Sequence, residues 1–181
     1  RAKTLGYDAI ALTDHGGLYG AIEFYEAAHK QGIKPIIGVE ANLATHKHTD
    51  KRPGIDNHTT HLTILAETNE GYHNILRLVS HSFLDGFYYK PRIDKDLLRT
   101  YSKGLIILSG CQKGEIPKAC QAHDWTKAEE IIGFYIEVFG KDHFYLELVH
   151  HPESPNQLEI NDCLLTLGKK LGVGVVATKD V

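Results

Sequence analysis

Apolar and polar positions alternate in blocks along this chain, and the period changes from block to block. Residues 9–12 (Ala-Ile-Ala-Leu) are an unbroken apolar run closed by Thr13-Asp14-His15-Gly16. That is the pattern of a buried strand, here over 9–13, ending in polar side chains. Residues 18–31 carry apolar positions at helical spacing and stop at Gly32, a helix-ending glycine. Further strands are predicted at 35–43, 61–66, 105–108, 143–149 and 173–177. A helix is predicted over 69–84, where Ile75, Leu76, Leu78, Val79 and Phe83 recur at helical spacing. Another opens at Ile93, with Asp94 and Asp96 in its first turn. Three more cover 114–122, 125–139 with Asp124 as N-cap, and 154–171 closed by Gly172. Residues 45–60 are polar, contain Pro53 and Gly54, and read as a long surface loop. Residues 86–92 read as an aromatic loop.

Strands alternating with helices argue for an α/β fold on a parallel sheet. Six strands without a repeat favour a barrel or near-barrel. The length of 181 residues suits one domain with a sizeable core. The sequence has no Met, opens on what reads as a helix tail capped by Gly6, and stops just past a strand; the expectation is a fragment.

Composition narrows the function. A net charge of −3 provides no global basic surface for nucleic acid, though a local basic rim remains open. The three cysteines, Cys111, Cys120 and Cys163, show no CxxC and no disulfide framework, which suits a reducing cytosol. No signal peptide and no membrane-spanning run are present in these residues. The surplus is in histidine, at 12 residues.

The strand ends carry the chemistry. The first ends in Asp14-His15, the second carries Glu40, the fourth ends in Cys111, the fifth in His150-His151 and the sixth in Asp180. His61 begins the third rather than ending it. In a parallel barrel the C-terminal strand ends converge on one pocket, so residues far apart in sequence can meet there. Mixed imidazole and carboxylate ligands favour Zn, Mn or Fe over Ca or Mg. Clustered metals of that kind activate water and clamp a phosphoryl oxygen. His15 is the first candidate ligand, and Asp14 can ligate or orient ligands. Glu40 sits among apolar residues, where a carboxylate must be paired, hydrogen-bonded or ligating. His61 reads equally as a ligand or a strand-start residue, Cys111 as a ligand or a small buried residue, and Asp180 as a ligand or a turn residue. His46 and His48 read as solvated. Lys47, Lys51 and Arg52 read as a wet face that could alternatively touch phosphates.

The segments Thr13-Asp14-His15-Gly16, Gly20-Ala21-Ile22-Glu23-Phe24-Tyr25 and Gly32 to Glu40 resemble the PHP (polymerase and histidinol phosphatase) domain. The segments Gly86 to Asp94, Ser109-Gly110-Cys111, Gly114 to Pro117 and Phe144 to Leu148 resemble its replicative DNA polymerase branch in particular. The resemblance covers essentially the whole chain, 1–181. It implies a distorted (β/α)7 barrel lacking its first strand here, with up to three divalent metals, Zn or Mn, at the strand ends. It implies His15, Glu40, His61, Cys111 and Asp180 as ligands, Glu40 as the bridging carboxylate, and Glu40 and Asp14 as the catalytic pair. The family also has a His-x-His and an acidic ligand before this sequence begins, and a His after it ends. With four ligands outside it, the fragment is expected to bind metal poorly and to be inactive alone. Lys179 replaces a common Asn. The implied activity is metal-dependent 3′–5′ exonucleolytic proofreading of a DNA primer end, in the cytoplasm, beside other replicase subunits. The polymerase itself would use Mg and residues outside this chain. Two rivals stand: a catalytically silent, metal-stabilised scaffold that docks a separate proofreading exonuclease, and a small-molecule phosphatase, against which the Phe87-Tyr88-Tyr89 loop argues.

Overall fold

The structure, a computed structural model, describes residues 1–151, 153–154 and 156–179. Among the described residues six strands and six α-helices follow in the order β1 (Ala9–His15), α1 (Ala21–Lys30), β2 (Lys34–Ala44), β3 (Thr59–Ala66), α2 (Asn69–Leu84), α3 (Lys95–Thr100), β4 (Leu105–Leu108), α4 (Glu115–Gln121), α5 (Trp125–Phe139), β5 (Phe144–Val149), α6 (Gln157–Leu171) and β6 (Gly174–Thr178). The strands form one sheet in chain order, β1-β2-β3-β4-β5-β6, with no switch point. β1 pairs with β2, β4 with β5 and β5 with β6, all in parallel.

The expectation of a wholly parallel sheet needs correction at β3. Glu67 N–H, just past the end of β3, donates to Gly104 O just before β4, while His61 near the start of β3 donates to Lys113 O well beyond β4. The two strands therefore run in opposite directions. Likewise, Gly38 of β2 lies against Ile64 of β3, while Glu40, further along β2, lies near His61, earlier in β3. The reason is the connection. A parallel pair needs a crossover, usually helical. The segment 45–58 between β2 and β3 contains no helix, so the chain turns back.

Backbone contacts group the chain into two units, one of residues 1–59 and 63–105, the other of residues 60–62 and 106 onward. β3 contributes residues to both. In the first, alternation along β2 sends Val39, Ala41 and Leu43 into a core with Ile64, Ile75, Leu78 and Leu98. Thr68 caps α2, accepting from Gly71 N, and Asp94 caps α3, accepting from Leu97 N. In the second, Tyr135 of α5 stacks on Phe144 of β5 at 4.9 Å between ring centroids, amid Ile132, Leu146, Leu164 and Leu167. The Tyr135 hydroxyl donates to Glu115 at 3.2 Å, and burial beside that carboxylate pushes the phenol well above its ordinary pKa.

Two local expectations also change. Cys120 of α4 and Cys163 of α6 are joined as a disulfide, leaving Cys111 as the free thiol. A separation of 43 residues hid that pairing, which exists because the two helices pack together. His46 and His48 are not simply solvated. His46 Nδ1 lies 3.1 Å from Asp56, and His48 Nδ1 lies 2.5 Å from Asp94.

Candidate metal centre

The site begins with register. β1 and β2 are paired so that His15 stands directly beside Glu40. Gly16 N–H closes the turn by donating to Glu40 O at 2.9 Å. His15 Nδ1 and Glu40 Oε1 are 3.4 Å apart; the imidazole is 74% exposed and the carboxylate 21%. Because side chains alternate along a strand, Asp14 points the other way. Its Oδ2 accepts from Gly20 N–H at 2.8 Å, at the start of α1. Asp14 is thus tied to the helix N-terminus and is not among the residues the structure groups around His15.

The reversal of β3 brings His61 to the same strand ends. The ligand atoms of His15, Glu40 and His61 lie within 4.8 Å of one another, the only such group of three or more among the described residues. Cys111 reaches His61 through the turn after β4. Gly110 has φ +80°, and a Cβ there would stand 2.6 Å from His61 O. Gly114 N–H donates to Cys111 O at 2.7 Å, closing the turn. The Cys111 Sγ then sits 3.8 Å from His61 Nδ1. It touches the His61 side of the group without belonging to it. Asp180 lies outside the described residues. His151 pairs with Glu153 at 3.0 Å and Lys179 is exposed.

The donor set fits a transition-type divalent ion. Nitrogen and carboxylate oxygen bind zinc at about 2.0–2.2 Å and thiolate at about 2.3 Å. Two such donors at a tetrahedral angle stand roughly 3.4–3.6 Å apart. The 3.4 Å between His15 and Glu40 matches that spacing, and the 3.8 Å between His61 and Cys111 is a few tenths of an ångström wider.

Around this lie side chains that sequence reading passed over. Glu147, buried in β5, accepts from Thr178 Oγ1 at 2.7 Å, and its N–H donates to Ser109 Oγ at 2.9 Å. Arg92 is almost fully buried and donates to the carbonyls of Gly86, His48, Asp50 and Asp56 at 2.6–2.9 Å. Burial lowers its pKa, partly offset by Asp56. Asp56 lies well below the ordinary carboxylate range, held by the Arg52 side chain. Burial pushes the Asp94 carboxyl up, but its hydrogen bonds from His48 and Leu97 outweigh this and leave it low. Arg92 was hidden inside an aromatic loop, and only a charged residue amid apolar neighbours hinted at burial.

His15, Glu40 and His61 thus form, at strand ends of an α/β sheet, a group that could hold a metal ion. The model of the PHP domain matches residues 1–151, and the chain belongs to that family. It is 46% identical to DNA polymerase III subunit alpha of Borreliella burgdorferi over 99% of this chain and 16% of that protein. It is 44% identical to the same subunit of Thermus aquaticus over 95% of this chain and 14% of that protein. The chain therefore spans about a sixth of the curated relatives it matches. Two solved structures share the fold at 12% identity. One is an amidohydrolase of Chromobacterium violaceum, with a TM-score of 0.57 over 99% of this chain and 79% of that one. The other is a candidate metal-dependent phosphoesterase of Bifidobacterium adolescentis, with a TM-score of 0.55 over 97% and 78%.

Proposed function

We propose that this chain is the PHP portion of a bacterial DNA polymerase III alpha subunit, and that its strand-end centre hydrolyses the terminal phosphodiester of a DNA 3′ end. The observation that carries the reading is the convergence of His15, Glu40 and His61 from three strands, with Cys111 on His61. These residues, with Asp180 as a further ligand, would hold Zn or Mn. Such ions supply Lewis-acid polarisation of a phosphoryl oxygen and activation of water. Glu40 would supply an anionic ligand beside His15. Cys111, fixed by its glycine turn, holds the His61 side, and His15, mostly exposed, faces the approaching strand. Asp14 acts indirectly, holding the β1–α1 turn that carries His15. Nucleotide addition, with Mg, belongs to parts of the subunit beyond these residues, as do contacts with other polymerase III holoenzyme subunits and with a separate proofreading exonuclease. The cytoplasm is the compartment this reading implies; no helix among the described residues is long and apolar enough to cross a membrane.

The test is hydrolysis of a mismatched primer end by the full-length subunit loaded with Zn or Mn. Activity is expected to vanish with chelator and in Glu40→Gln. If the loaded subunit melts higher than the stripped one yet cleaves nothing, the centre is a structural metal site and the scaffold reading replaces this one.

A further inference from the structure

The aromatic loop at residues 86–92 is fastened to the strand ends that carry His15 and Glu40, yet the metal centre makes no use of it. Pro91 packs on Gly16, where a Cβ would stand 2.9 Å from Pro91 Cγ. Asn42 Nδ2 donates to Pro91 O at 3.2 Å, and Ile93 bridges Leu43 of β2. Arg92 anchors the loop from within through its four carbonyl partners. The tip, Tyr88-Tyr89-Lys90, is therefore held firmly.

At that tip Tyr89 has φ +60°, a left-handed backbone that bulky residues avoid. The residue is 75% exposed. Its ring meets Tyr88 edge-on at 4.7 Å between centroids, and the Arg92 guanidinium lies over the Tyr88 ring at 5.3 Å. Lys90, beside it, is half-buried. Beyond its contact with Tyr88, folding gains little from a ring left mostly in water on a backbone that Gly or Asn adopts more easily. Strain of this kind, kept in place by surrounding structure, points to a ligand. Two residues span at most ~7 Å of chain, so Tyr89 stays close to Pro91, and Pro91 touches the residue after His15.

We propose that Tyr89 is a stacking platform for an unpaired base of single-stranded DNA, placed so that the strand's phosphate reaches the His15–Glu40 side, with Lys90 beside the backbone. An aromatic face accepts any base, which suits a strand end of arbitrary sequence. The DNA identity of the strand rests on the reading above; the platform rests on the loop.

The test is photo-crosslinking of the full-length subunit to a single-stranded oligonucleotide with 5-iodouracil at its 3′ end, with adducts mapped by mass spectrometry. No hydrolysis is required. The wild type and Tyr89→Phe are expected to carry the adduct in the 86–92 loop. Tyr89→Gly and Tyr89→Asn are expected to lose about tenfold of the yield at that loop while melting at or above the wild-type temperature. An adduct with no cleavage of the same oligonucleotide would leave the platform standing and sink the nuclease reading. Absence of an adduct in the loop, or undiminished yield in both Tyr89→Gly and Tyr89→Asn, overturns the proposal.

Discussion

Glu40 and Gly110 show how single residues would set the proposed centre. Glu40 is the one carboxylate of the described ligand group, and its negative charge would offset that of a cation held beside the two imidazoles. Glu40→Gln keeps the shape and removes that charge. Zinc affinity of the full-length subunit, measured by competition with a chromogenic chelator, is expected to fall at least ~100-fold, more than the 10–100-fold typical of groups that merely support ligands. Gly110 acts through space and backbone. Any side chain there meets His61 O and must also hold φ +80°. Gly110→Ala is expected to cost about 1–3 kcal/mol in chemical denaturation and to weaken metal binding, because the turn that aims Cys111 shifts. Unchanged stability and affinity would show that the turn does not position the thiol.

At the scale of elements, the loop between β2 and β3 is organised by Arg92. Four backbone carbonyls depend on that one guanidinium, and burial makes each costly to leave unmatched. Arg92→Met is expected to destabilise the protein by about 3–5 kcal/mol and to expose residues 46–58 to rapid amide exchange. The same loop sets an acid limit. Asp56 and Asp94 have folded pKa values below the unfolded carboxylate value of about 3.9. Between those values the unfolded chain binds more protons than the folded one, so stability rises with pH there. Their contribution is complete above the unfolded value and is lost as pH falls through the folded ones. Acid unfolding monitored by circular dichroism is therefore expected to steepen below about pH 4, and Asp94→Asn is expected to flatten that slope.

Much of this level was legible beforehand. α2 runs over the residues its apolar spacing indicated and α5 over those that follow its Asp124 cap; in the structure Thr68 and Asp124 satisfy N–H groups the helices leave open. The direction of β3 was also written in the chain, as a polar connection with no crossover helix, but alternation elsewhere drew the reading toward a parallel sheet. His15 and Glu40 stood out as polar endings of apolar runs. His61 and Cys111 did not, since their meeting depends on the reversed strand and on Gly110. The partners of His46, His48 and Arg92 are long-range and leave no periodic trace.

For the molecule as a whole, membership of the PHP family and the ordered sheet support one claim: side chains scattered from β1 to the turn after β4 share a cation. Metal binding to the folded form alone would raise thermal stability, and stripping with chelator is expected to lower the melting temperature in the wild type and not in Glu40→Gln. Cobalt(II) substitution tests the shared cation most directly. The cobalt-loaded full-length subunit is expected to show a thiolate-to-metal charge-transfer band that disappears in Cys111→Ser and shifts in His61→Ala. A spectrum with no such band, or one that neither substitution alters, would contradict the account.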